Sequence, residues 1–208
     1  DNILVQDDGS LVLVDYDGMY VPAMKGQKAR ELGSPDFRHP LRTENDFDEH
    51  IDDFPLVSIF LSLKAIALNP QLLEEYGIAD RLLFSENDYR DIASSRIIRR
   101  VTEQIANVEL TRIYATFIIL ISEKRLTHDS YKLVFHKKEH SDLFKSLEKQ
   151  SPFDKESKYC MSCLLLNGLE CEQDRDKGIY LLTELAEKGD AKAQFRLGRC
   201  FQLGLGVS

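Results

Sequence analysis

The sequence predicts a mainly α-helical chain that opens with one short β-hairpin and closes with stacked helix pairs. Three observations predict it. Two short apolar runs at the amino end flank the turn sequence Asp7-Asp8-Gly9-Ser10. The long middle section carries apolar residues at helical rather than strand spacing. The last fifty or so residues match themselves at a shift of 36, a period that belongs to stacked helix pairs.

Composition limits what such a chain can do. An apolar fraction of 43% is enough for a real core, and only 6 Pro and 11 Gly argue against a long disordered stretch. A formal charge of −8 argues against nucleic acid as a partner, because phosphate contacts need concentrated Lys and Arg. The longest apolar run, residues 113–121, is interrupted by Tyr114 and Thr116 and is too short to cross a bilayer, so no membrane partner is expected. No signal peptide is visible. The four cysteines (Cys160, Cys163, Cys171 and Cys200) crowd into the last quarter, unlike a secreted disulfide scaffold. They read as reduced thiols of a cytoplasmic protein.

The first element is the hairpin. Ile3–Val5 and residues 11–14 are its strands, and Asn2 and Asp15 stand at its two ends, where their side chains converge. The next recognisable string is Gly33-Ser34-Pro35-Asp36-Phe37-Arg38-His39-Pro40. After it comes Asp53, followed by residues 54–68, which are apolar on nearly every side, as in a buried central helix. Pro55 falls in the first turn, where a missing N–H costs little.

In register, these strings resemble the carboxyl-terminal lobe of a Ser/Thr protein kinase-like domain. Asn2 matches the catalytic-loop Asn and Asp15 the DFG aspartate. Gly33, Ser34, Phe37 and Pro40 match the GTxxYxAP string that closes an activation segment. Asp53 matches the aspartate that starts the family's buried central helix. The resemblance implies phosphoryl transfer from ATP to a protein hydroxyl, with Asn2 and Asp15 holding Mg²⁺, an ion that borrows phosphate oxygens and keeps waters. It also implies that Ser34 hydrogen-bonds a catalytic aspartate, although a simple turn serine fits equally.

Departures from the pattern weaken the activity more than the fold. Asp17 occupies the DFG glycine position and Gly18 comes one step late, so the metal loop is expected to be set differently. Tyr16 replaces the Phe. Leu41 replaces the glutamate of APE, and an apolar contact from Leu41 is expected to substitute for the family's ion pair. Between Tyr20 and Ser34 nothing accepts a phosphate, which excludes a phosphorylation switch there. Lys25, Lys28 and Arg30 in that loop read as a solvated stretch, or as a docking patch for an acidic peptide. The Gly-rich loop, the ATP-binding Lys and the HRD aspartate have no counterpart in these 208 residues. The general base is therefore expected upstream of Asp1, and this chain alone is expected to be inactive.

The middle section divides at Asn69-Pro70. A short helix, Gln71–Tyr76, is stopped by Gly77. Ser85 caps the next, and residues 96–107 and 109–124 have helical periodicity. Residues 136–150 join the two parts as a polar connector, with an amphipathic helix beginning at Asp142.

In the final part Gly168, Leu169 and Cys171 superpose on Gly204, Leu205 and Val207. Leu181, Leu182, Leu185 and Ala186 make one apolar face. Gly189 ends that helix, Asp190 caps the next, and Ala193 and Gly198 leave room for close packing. This stretch is similar to the Sel-one-like repeat, a relative of the tetratricopeptide repeat. Its matching residues include Asp174, Lys177, Leu182, Ala186, Gly189, Ala191, Ala193, Gln194, Leu197 and Gly198. The resemblance implies an α-α superhelix with a protein-binding groove, continuing past Ser208. The expected organisation is a kinase-like lobe at 1–135, a linker at 136–153 and about one and a half repeats at 154–208.

Several constellations carry less. Cys160-x-x-Cys163 falls on a repeat helix with no partner CxxC. With His136 and His140 it has metal-ligand spacing, but thiol packing is the simpler account. Cys171 and Cys200 read as core. No role as base or nucleophile is expected of His39. The acidic run at 44–53 reads as solvated loop. Two rivals remain: a pseudokinase scaffold, favoured by Asp17 and Leu41, and a helical adaptor, which predicts no hairpin at residues 3–14.

Overall fold

A computed structural model of the chain describes residues 3–103, 107–123, 142–169 and 171–205. Among these residues the fold is mainly α, with nine α-helices and one two-stranded antiparallel hairpin near the amino end. None of the helices is long and apolar enough to cross a membrane.

Strands β1 (Ile3–Val5) and β2 (Leu11–Leu13) pair with Ile3 opposite Leu13 and Val5 opposite Leu11. Asp8 fixes the turn by accepting the Ser10 N–H at 2.8 Å, and Gly9 supplies φ +81°. The hairpin that the helical-adaptor reading did not expect is present. Its apolar side chains, including Ile3, Leu4, Val5, Leu11 and Leu13, are exposed.

Two single-turn 3₁₀ segments, Pro22–Met24 and Pro35–Phe37, interrupt the loop that follows, each opened by its proline. Helix α1 spans Asp53–Leu68. It begins at the expected aspartate but is not buried all round. Phe54, Val57, Leu61 and Ala65 form the buried face, whereas Leu56 and Leu63 are exposed. Apolar residues on every side leave the choice of face to packing, and α1 packs mainly on α2, on α5 and on the Pro35–Phe37 turn.

Helix α2 (Gln71–Tyr76) stops at Gly77, and α3 (Glu86–Arg90) starts with a capping box in which Ser85 and Asp88 satisfy each other's backbone N–H groups. Helix α4 is Arg96–Glu103, beyond which the expected helix enters residues outside the described ones, and α5 is Val108–Glu123. The side chain of Asn107 accepts the Leu110 N–H at 3.0 Å and starts α5 afresh. Helix α6 (Asp142–Gln150) is the amphipathic connector. Leu143 and Leu147 bury it in the core rather than leaving it free.

The last three helices are α7 (Lys155–Asn167), α8 (Arg175–Glu187) and α9 (Ala191–Leu203). The period of 36 is visible as chemistry. Asp154 and Asp190 cap α7 and α9 by accepting the N–H groups of Ser157 and Ala193. Both helices run 13 residues and end at a left-handed glycine, Gly168 at φ 62° and Gly204 at φ 64°. Each closes with the same long backbone bond, Leu169 N–H to Leu164 O and Leu205 N–H to Cys200 O.

Ala193 is fully buried, as expected, but Gly198 is exposed and open, so it is not the close-packing position. That position is Gly178, where a Cβ would lie 2.9 Å from Leu166 Cγ. A single buried apolar cluster runs from Phe54 to Cys200 and includes residues of α1, α5, α6, α7, α8 and α9.

Candidate functional site

Asp15 follows β2 and is exposed. It is the one non-glycine residue with positive φ (62°) among the described residues, a conformation that Asp tolerates better than most side chains. Tyr16 turns back and donates its hydroxyl to Leu13 O at 2.6 Å, closing the bend. Asp17 is exposed too. Gly18 makes a different contact. A Cβ there would meet Glu31 Oε1 at 2.6 Å, so the glycine lets the far end of the loop approach. Asn2, the expected partner of Asp15, lies outside the described residues.

The loop is tied down at two further points. Ala29 N–H donates to Glu44 O at 2.8 Å, and Tyr20 packs edge-on against the buried Phe47, with ring centroids 5.4 Å apart. Lys25, Lys28 and Arg30 are exposed, in keeping with a solvated stretch.

The segment Gly33–Pro40 is held to the helices. Gly33 adopts φ +71° and its carbonyl accepts from Arg38 Nη1 at 3.2 Å. Ser34 is exposed and opens the 3₁₀ turn without a side-chain cap bond. Asp36 accepts the Glu86 N–H at the start of α3 (2.9 Å), and its carbonyl accepts the Tyr89 hydroxyl (2.7 Å). The proton of Tyr89 being committed there, Ser58 of α1 donates to the Tyr89 oxygen at 2.8 Å. Burial pushes the Tyr89 hydroxyl well above its ordinary pKa, and the nearby Asp36 charge adds to the shift, so the relay stays protonated.

His39 is held by hydrogen bonds on both ring nitrogens. It is buried, its Nδ1 accepts the Leu41 N–H, and Nε2–H therefore faces the carbonyls of Leu120 and Ile121 near the end of α5, 3.1 Å from each. Its ring and those of Tyr89 and Phe117 surround Phe54 at centroid distances of 5.2, 4.9 and 5.8 Å. Pro40 is half-buried beside it. Leu41, expected to make an apolar contact, is instead exposed.

Asp53 is half-buried at the first position of α1 and accepts from His50 Nδ1 at 2.7 Å. The acidic run before it is not merely solvated. Asp46 accepts the Thr43 backbone N–H and hydroxyl, and Asp48 accepts the His50 N–H. Burial lowers the pKa of the partly buried Arg42, and the charges of Asp52, Asp46 and Asp48 oppose that shift.

The Gly33–Pro40 segment is thus held to the helices through Asp36 and His39, while Asp53 pairs locally with His50 and Asp15 stands on the hairpin. Sequence reading missed Asp36, Tyr89 and Ser58. The Ser85 capping box was the one local signal pointing to that region.

Among the described residues no cluster of three or more His, Cys, Asp or Glu side chains could hold a metal. Asp15 is a single exposed carboxylate at the end of the hairpin. Cys160, Cys163 and Cys200 are buried free thiols with pKa values raised first by burial, and Cys171 is half-buried. His136 and His140 lie outside the described residues. No known family model, curated protein or solved structure matches this chain.

Proposed function

We propose that this chain is the carboxyl-terminal lobe of a Ser/Thr protein kinase-like domain joined to Sel-one-like repeats, cytoplasmic and with reduced thiols. In this reading the intact domain transfers phosphate from Mg-ATP to protein hydroxyls. Asp15, with Asn2, holds the Mg²⁺; Gly33, Ser34, Pro40 and Asp53 shape the activation segment and its anchor. The repeats bind protein, not nucleic acid or membrane. The observation that carries the reading is Asp15: an exposed carboxylate at the end of a tight hairpin, held at positive φ, where backbone strain collects at functional positions. Phosphoryl transfer depends on positioning and charge neutralisation, so a chain lacking the HRD aspartate and Gly-rich loop does not turn over.

The test is paramagnetic broadening by Mn²⁺-ATP in amide spectra of the 208-residue chain. The expected result is selective broadening at Asp15, Tyr16 and Asp17 that Asp15→Ala abolishes, with no phosphate transfer to a protein acceptor. Broadening that ignores Asp15→Ala would overturn the metal assignment. Transfer by the purified chain would overturn the claim of inactivity.

A second reading, a pseudokinase scaffold, is favoured by the exposure of Leu41 and by Asp17 at the glycine position. It predicts the same fold with no Mn²⁺-ATP response at Asp15.

A further inference from the structure

Glu156 and Lys192 are 36 positions apart and occupy the same place, the second residue, in the matching helices α7 and α9. They form an ion pair, and apart from His39 they are the acidic and basic residues buried among the described residues. The Glu156 carboxylate also accepts the hydroxyl of Tyr114, in the middle of α5, at 3.0 Å. The Lys192 ammonium lies over the Tyr159 ring, 5.6 Å from its centroid. One carboxylate therefore joins α5, α7 and α9.

Burying such a pair is a poor route to stability, since desolvation offsets the attraction and an apolar pair of similar volume does as well or better. Removing one partner is costly for the opposite reason, an uncompensated buried charge. What the arrangement supplies is discrimination. The apolar contacts among α5, α6, α7, α8 and α9 are non-directional and tolerate sliding. The triad is satisfied only when Tyr114, Glu156 and Lys192 coincide. On the α4 side, a cleft of about 30 Å³ between Arg99, Thr102 and Glu103 of α4 and Phe195 of α9 reaches Lys192 and Tyr159. That volume is on the order of a water or two. Burial, and then the Glu156 charge, raises the pKa of Tyr114 and keeps its proton on the donor side.

We propose that Tyr114, Glu156 and Lys192 form a register latch that holds the helices of 155–203 in one position against α4 and α5. The inference does not depend on the kinase reading. Its consequence is that anything bound by the repeats is presented at a fixed orientation to the rest of the chain.

The experiment uses the whole chain, with the paired replacement Glu156→Leu and Lys192→Met and the separate variant Tyr114→Phe. Amide spectra and hydrogen exchange are recorded for α1, α7 and α9. In the paired variant, thermal stability is expected to be retained. The α9 amides are expected to double or broaden and to exchange about tenfold faster, while α1 amides keep wild-type protection. A single sharp set of α9 resonances with wild-type protection would overturn the latch. If the paired variant does not fold, Tyr114→Phe decides. Faster exchange, by about tenfold, at the first turn of α7 and in α9 supports the latch. Unchanged exchange there removes α5 from it and overturns the proposal.

Discussion

Phe54 offers the sharpest test of how the Gly33–Pro40 segment is held. It is 3% exposed, and three rings from three parts of the chain meet on it: His39 from the segment, Tyr89 from α3 and Phe117 from α5. Phe54→Ala removes a fully buried aromatic side chain and leaves a cavity, a loss of about 3–5 kcal/mol. Part of that loss is specific to ring geometry, about 0.5–1.5 kcal/mol for each well-placed pair. Phe54→Leu keeps most of the apolar volume and forfeits the ring contacts, so about 1.5–3 kcal/mol is expected, below the alanine cost. A control comes from the other side of the same helix, where Leu56 is 37% exposed and Leu56→Ala is expected to cost under about 1 kcal/mol. Urea unfolding followed by circular dichroism reads all three, with the transition midpoint reported alongside the slope. Limited proteolysis gives a second readout, since the loosened segment should be cut first near residues 33–42. A Phe54→Ala cost below about 1 kcal/mol, or equal costs for Ala and Leu, would refute the claim that this ring cluster anchors the segment.

Two further outcomes are expected. Tyr89, Tyr114 and Tyr159 all have hydroxyl pKa values raised, first by burial. A raised folded-state pKa gives stability that is fully present below the unfolded value, near 10, and is lost as pH rises beyond it, because only the unfolded tyrosines release protons. Three such groups imply a fall of roughly 4 kcal/mol per pH unit above about pH 10. Flat stability between pH 10 and 11 in chemical denaturation would contradict the burial of these hydroxyls. Gly178→Ala is expected to destabilise by about 1–3 kcal/mol through the clash with Leu166, whereas Gly198→Ala, on the open face of α9, is expected to stabilise by up to about 1 kcal/mol. Thermal melts that rank the two alanines the other way would refute the assignment of the close approach to Gly178.

What could be read directly from the residues was local. The hairpin follows from Asp8 and Gly9 in its turn, the start of α3 from Ser85 and Asp88, and the twin caps of α7 and α9 from Asp154 and Asp190 with Gly168 and Gly204. Each of these uses partners within about five residues, so the chain carries both halves of the interaction in one short string. The start of α1 at Asp53 was expected from the resemblance in register rather than from a local cap. Of the candidate site, Asp15, Gly33, Pro40 and Asp53 could be named in advance, but not what holds them.

Tertiary structure decided the rest. Helix α1 has apolar residues on every side, so its periodicity was silent about which face meets the core. Gly198 was expected to be the close-packing glycine, yet another helix meets Gly178 instead. His39 finds its carbonyl acceptors 81 and 82 positions away. Tyr89 finds Asp36 53 positions away, and Glu156 takes Tyr114 and Lys192 from 42 and 36 positions on either side. Such pairings carry no local signature, because their energy comes from desolvation and mutual geometry that exist only once the helices have packed.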